Sequence, residues 1–192
     1  MPVYWWNQMT HSRLLLYWIA LVLSLPTAYA AEYDMFIGDY EGKYTSSDSD
    51  ENGNRDLSVK IREVKDGLNV SWVTTAFKNK SKKKKYSIDF LKTDREHIYA
   101  AAQKKNVFGG RDPLDPMKGE PYAWARMEGQ TLSVFVLTIT DDGGYEMQTY
   151  DRTLTEDNNL DVQYSRVRNG DVMKTLKVTL QRKTSGRPET DK

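Results

Sequence analysis

TLSVFVLTITDDGGYEMQTYDRTLT, residues 131–155, decides how the rest of the chain must fold. Side chains alternate across a strand, so Leu132, Val134 and Val136 face one way and Phe135, Leu137 and Ile139 the other. A strand apolar on both faces belongs inside a sheet covered on both sides. Asp141-Asp142-Gly143-Gly144 supplies turn residues, the glycines suiting the positive φ of a primed hairpin turn. The returning strand is more polar, with Glu146, Gln148, Tyr150 and Arg152 alternating against Tyr145, Met147, Thr149 and Asp151.

The same pattern recurs outward from this hairpin. Residues 35–44 read as a first strand kinked by Gly38 and Gly42, and Leu57, Val59 and Ile61 alternate with Ser58, Lys60 and Arg62 in a second. Further strands are expected over residues 68–77, around Tyr86, Ile88 and Phe90, over 98–103 and over 122–128. Asn169-Gly170 predicts a final hairpin between residues 160–168 and 172–182. Residues 104–121, dense in glycine and proline, should hold no regular element. The total is about ten strands with no helical period, hence an all-β antiparallel meander that must close or pair to remove its edges. An up-and-down barrel is the first expectation and a β-sandwich the alternative. No helix is expected as a second cover, so the outer face of 131–139 should lie under a loop, a tail or a partner.

The N-terminal 30 residues read as a cleaved signal peptide. Arg13 precedes the apolar run 14–25, which falls short of the roughly 20 residues of a membrane span. Ala28-Tyr29-Ala30 fits the cleavage site, placing the mature start near Ala31 and the protein in the bacterial periplasm or the medium. Tyr4, Trp5 and Trp6 are unusual in a leader, so Met9 is the more ordinary start than Met1. One domain is expected over residues 31–183, with a polar, disordered tail over 184–192. Cleavage removes one of the 28 basic residues and none of the 27 acids, leaving a neutral chain that argues against nucleic acid as partner. The absence of cysteine excludes disulfides, thiolate metal sites and a cysteine nucleophile.

Gly38-Asp39-Tyr40 resembles the glycine-x-aromatic opening of lipocalin-like barrels, the calycin group, with Tyr where lipocalins carry Trp. The resemblance implies that a late-strand arginine, Arg182 or Arg166, packs on Tyr40, and that a small apolar or amphipathic ligand is held inside. Tyr40, Trp72, Tyr122, Trp124, Arg126, Met147, Tyr150, Arg152, Tyr164 and Arg166 are the candidate pocket residues, because concave sites pair apolar walls with a few polar groups. Phe108, Leu114 and Met117 could anchor a lid formed by the long 104–121 loop.

The other motifs are weaker. Asp48-x-Asp50-x-Asn52-Gly53-Asn54-x-Asp56 has calcium-loop spacing but Val59 where the closing Glu belongs, so no metal is expected. Lys80, Lys82, Lys83, Lys84 and Lys85 form a basic tip that could touch an anionic surface or a protein partner, or simply keep strand edges apart. His97 is the only histidine after the leader and reads as a surface turn residue. These residues predict a binding protein rather than an enzyme, with no cofactor. An envelope interaction module acting through the lysine tip or the 104–121 loop is the alternative.

Overall fold

The computed structural model describes residues 31–46, 53–76, 83–102, 104–105, 111–112 and 114–183. The calcium-like residues 48–52, Lys80, Lys82, Phe108, the leader and the tail lie outside the described residues. In chain order the strands are β1 (Gly38–Ser46), β2 (Gly53–Val64), β3 (Gly67–Ala76), β4 (Lys83–Lys92), β5 (Ile98–Ala101), β6 (Lys104–Lys105), β7 (Arg111–Asp112), β8 (Tyr122–Glu128), β9 (Thr131–Ile139), β10 (Tyr145–Leu154), β11 (Leu160–Arg168) and β12 (Asp171–Arg182). Ten of them form one closed antiparallel barrel in the order β1-β12-β11-β10-β9-β8-β5-β4-β3-β2, with β6 and β7 paired separately. No helix among the described residues is long and apolar enough to cross a membrane.

β9 takes the place its sequence demands, between β8 and β10, with Leu132 and Val134 fully buried on the inner face. Its outer face is partly covered from within the chain. The Trp124 ring stacks on Phe135 at 4.9 Å and 15°, and a 3₁₀ helix, Pro116–Lys118, with no buried residue, runs close to the strand.

The two flagged turns differ in kind. At Asn169-Gly170 both residues have positive φ, 50° and 95°, as a type I′ turn requires. In the β9–β10 turn only Gly143 does, at 79°, and Gly143 N donates to Thr140 O at 2.9 Å. That is the three-residue loop closed by a left-handed residue, not the primed turn expected from two glycines.

Closure joins β1 to β12 through Tyr40 opposite Arg182 and Glu41 opposite Gln181. The Arg182 guanidinium lies 5.2 Å over the Tyr40 ring, donates from Nη2 to Tyr40 Oη at 2.5 Å and to Met35 O at 2.7 Å. Tyr40 Oη in turn donates to Phe36 O at 2.8 Å. The segment before β1 is a 3₁₀ turn, Asp34–Phe36, rather than strand, and it buries Phe36 completely. Phe36, Tyr40, Leu68, Phe90, Leu160 and Leu180 leave no accessible surface at this end of the barrel. One half of the interior is therefore solid.

Candidate ligand-binding cavity

Along β10 the inward positions run Leu154, Arg152, Tyr150, Gln148 from the solid end towards the opposite mouth. Leu154 is core, and the other three line a cavity of about 340 Å³. β2 and β3 contribute Leu57, Val59 and Trp72, and β4 contributes Lys84 and Tyr86. β11 and β12 contribute Tyr164, Arg166, Lys174 and Leu176. This volume lies in the range of small-molecule sites. A wider depression of about 660 Å³ involves the outer side of β1, β2 and β12, but its lining has no aromatic residue and fewer features that could grip a ligand.

Four rings form a continuous row through the cavity. Trp72 stacks on Tyr86 at 5.1 Å and 21°, meets Tyr150 at 5.0 Å, and Tyr150 meets Tyr164 at 4.8 Å. β3 and β10 are not neighbours in the sheet, so the Trp72–Tyr150 contact bridges the lumen. Spacings of this size are favourable for tilted and offset rings. Tyr150 Oη donates to Gln148 Oε1 at 2.8 Å, and Gln148 Nε2 donates to Glu146 Oε1 at 2.8 Å.

Arg152 is the largest fully buried side chain, only 1% exposed. Its guanidinium lies 5.3 Å from the centroids of both Trp72 and Tyr150. Among the described residues its one hydrogen bond runs from Nη1 to Tyr150 O at 3.3 Å. Its Nε, like the Nε of Arg166, is buried without a partner. Burial pushes the Arg152 pKa down to about 10, opposed by Tyr150 and Asp151. Asp151 does not supply a salt bridge: it sits on the other face and accepts from Ser133 Oγ at 2.6 Å. Burial raises the Tyr150 hydroxyl, helped by Tyr164 and opposed by Arg152, and pushes Tyr164 up to about 12 against the opposing Arg166. Both phenols stay neutral donors near pH 7.

The structure divides the expected pocket residues into two groups. Trp72, Tyr150, Arg152, Tyr164 and Arg166 meet at the cavity. Tyr40 points inward but belongs to the solid end, where Arg182 occupies its hydroxyl. Tyr122, Trp124 and Arg126 point outward, because Ala123, Ala125 and Met127 take the inner positions of β8. Met147 points outward because Gln148 points in, and it lies beside Leu137 in register. Strand parity, invisible in a list of residue types, places Tyr122, Trp124, Arg126 and Met147 outside, whereas Tyr40 differs by its position along the axis.

The loop and the lysine tip also change. Leu114 lines a separate opening with Ile88, Ala123 and Val136, whereas Met117 is 80% exposed and covers nothing. The lysines from Lys83 on are strand, not loop, because Lys83, Lys84 and Lys85 pair with Thr75, Thr74 and Val73. Pairing overrides the weak strand preference of lysine. Lys84 consequently lines the cavity at its mouth, exposed like Lys83 and Lys85.

A second cluster was not expected. Glu32, just before the 3₁₀ turn, accepts from Tyr99 Oη at 2.6 Å and pairs with His97 Nδ1. Tyr33 meets Tyr99 edge-on at 6.1 Å. Glu32 raises the His97 pKa first by hydrogen bonding and then by its charge. These contacts fasten the segment before β1 to the β5 edge, far in sequence and so without a local signal.

Neither a scan of protein-family models nor a search among curated proteins finds a match to this chain.

Proposed function

We propose that this protein is an exported, lipocalin-like carrier that holds a small amphipathic molecule in the open half of its barrel and does no chemistry on it. One observation carries the reading: the interior is solid around Phe36 and Tyr40 but opens into an aromatic-lined cavity of about 340 Å³ at the other end. A barrel built only to be stable gains by filling its interior, since empty space forfeits packing energy. Among the described residues the lining offers no carboxylate, imidazole or thiol, the groups that most acid–base and nucleophilic catalysis uses. The Arg182–Tyr40 closure has the arrangement that the lipocalin resemblance implies, and a leader ending near Ala30 accords with export.

Native mass spectrometry of the protein purified from its own host tests the carrier reading, with a bound small molecule released on denaturation as the expected result. Protein that arrives empty and quenches no Trp72 fluorescence with any amphipathic probe would refute it. N-terminal sequencing tests export, the expected first residue being Ala31.

A further inference from the structure

We propose that the ligand is an organic acid: a flat apolar body lying along the aromatic row, with its anionic group set against Arg166 and Arg152. This rests on the cavity-binding reading and gives it a chemical class.

Among the described residues the lining contains four cationic side chains, Lys84, Arg152, Arg166 and Lys174, and no acid. Arg166 and Lys174 stand directly opposite each other in the β11–β12 register. The nearest inward carboxylate, Glu146, is engaged by Gln148 Nε2 at 2.8 Å, and Asp151 is turned away to Ser133. Neither Arg152 nor Arg166 forms an ion pair with a described residue, and each keeps a buried Nε donor without an acceptor. A buried guanidinium normally answers a carboxylate or phosphate, because its planar donors match two acceptor oxygens. Water in the cavity can satisfy a donor, but it brings no countercharge. An acid group does both.

The rest of the cavity describes the rest of the ligand. Tyr86, Trp72, Tyr150 and Tyr164 form a row at 5.1, 5.0 and 4.8 Å spacing, a surface for a planar body. Leu57, Val59, Val162 and Leu176 supply aliphatic wall around it. A volume of about 340 Å³ holds roughly a dozen non-hydrogen atoms at liquid-like density. That is a two-ring acid, not a lipid with long chains. Burial keeps the Tyr150 and Tyr164 phenols neutral near pH 7, so neither repels the acid group.

Calorimetric titration of the full chain with 2-naphthoate, 2-naphthamide and 2-naphthylmethylammonium separates the possibilities, since the three share one ring system and differ in charge. The expected order is acid, then amide, then cation, with the acid ahead of the amide by about tenfold or more, the scale of one charge-assisted hydrogen bond. Arg166→Gln should bring the acid down to the level of the amide while leaving the amide unchanged, and Arg152→Met should narrow the gap in the same direction. Equal affinity for acid and amide, or preference for the cation, overturns the acid class and leaves the cavity reading standing. Retention of the full preference in both variants, with far-UV circular dichroism showing them folded, removes the arginines from the site and overturns the proposal. The wild-type series decides the charge class even if a variant fails to fold. Failure of all three probes to bind brings down the cavity reading and this inference together.

Discussion

Arg152→Met should make the empty protein more stable, not less. Arg152 is 1% exposed and burial pulls its pKa down to about 10, which corresponds to about 3 kcal/mol of penalty on the charged form. Against this stand one long hydrogen bond to Tyr150 O, contributing about 1 kcal/mol or less, and two ring contacts of about 0.5–1 kcal/mol each. Methionine keeps nearly the same length and fills the space with a polarisable, uncharged chain. The difference is a gain of about 1 kcal/mol, or a rise of about 2–4 °C in Tm for a domain of this size.

Urea denaturation at pH 7 without ligand, followed by tryptophan fluorescence, reads this as a higher midpoint with an unchanged slope. A loss of more than about 1 kcal/mol would refute the reasoning. It would mean that the guanidinium is a strut holding Trp72 against Tyr150, and that its contacts outweigh its desolvation. The gain should shrink when a saturating acid is present, because binding to the native state then stabilises the arginine protein more than the weaker-binding methionine variant.

Two further outcomes follow from the geometry. Gly67→Ala places a methyl 1.9 Å from Phe90 O, a backbone atom that cannot rotate away; β3 and β4 must part, at a cost above about 2 kcal/mol in denaturation, and unchanged stability would contradict this register. The His97–Glu32 contact raises the folded pKa of His97 above 6.5, so its stabilisation is fully present below pH 6.5 and is lost as pH climbs through the folded value. Proton NMR of the His97 ring should show that upward shift, with hydrogen exchange at residues 34–37 speeding at alkaline pH, and Glu32→Gln should abolish both; a His97 titrating at or below 6.5 in the wild type would refute the contact.

How much of this was legible depends on the range of the interaction concerned. Strand positions and the meander follow from period-two alternation, and β8 and β9 begin and end where residue types say they should. The half-filled interior was legible only in outline. Trp72, Tyr150, Arg152, Tyr164 and Arg166 stood among ten candidates, but aromatic and arginine content cannot separate Trp72, which points in, from Trp124, which points out onto Phe135. Parity counted from a buried neighbour could have done so: Ala123, Ala125 and Met127 are the apolar set of β8, which leaves Trp124 outside. The Glu32–Tyr99–His97 cluster joins residues more than sixty positions apart and leaves no periodic trace. Lys84 was hidden by composition, since a lysine run reads as solvated loop until pairing with Thr74 turns one member inward.

The inward positions also explain why the cavity lies at one end. From the solid end to the mouth, β2 presents Ile61, Val59, Leu57 and Arg55, and β4 presents Phe90, Ile88, Tyr86 and Lys84. β11 presents Leu160, Val162, Tyr164 and Arg166, and β12 presents Leu180, Val178, Leu176 and Lys174. Each strand runs from apolar to cationic, β2 and β12 through a leucine and β4 and β11 through a tyrosine, and each turns basic at its mouth side. Hydrophobic burial holds the first half together, and the long cations of the second half can reach water only by leaving the axis unfilled. The same gradient that opens the cavity therefore sets its charge. Residues 31–192 are neutral overall, yet among the described residues four cations, with Glu146 as the one inward carboxylate, stand at this mouth and make its local field positive. Low-dielectric walls focus such a field along the axis, so an anion is drawn inward before it touches any side chain. Reversing one mouth position, as in Lys174→Glu, should slow the association of 2-naphthoate more than it speeds its release, and added salt should erase that difference. An effect confined to the dissociation rate would show that Lys174 acts by contact and that the mouth does no steering.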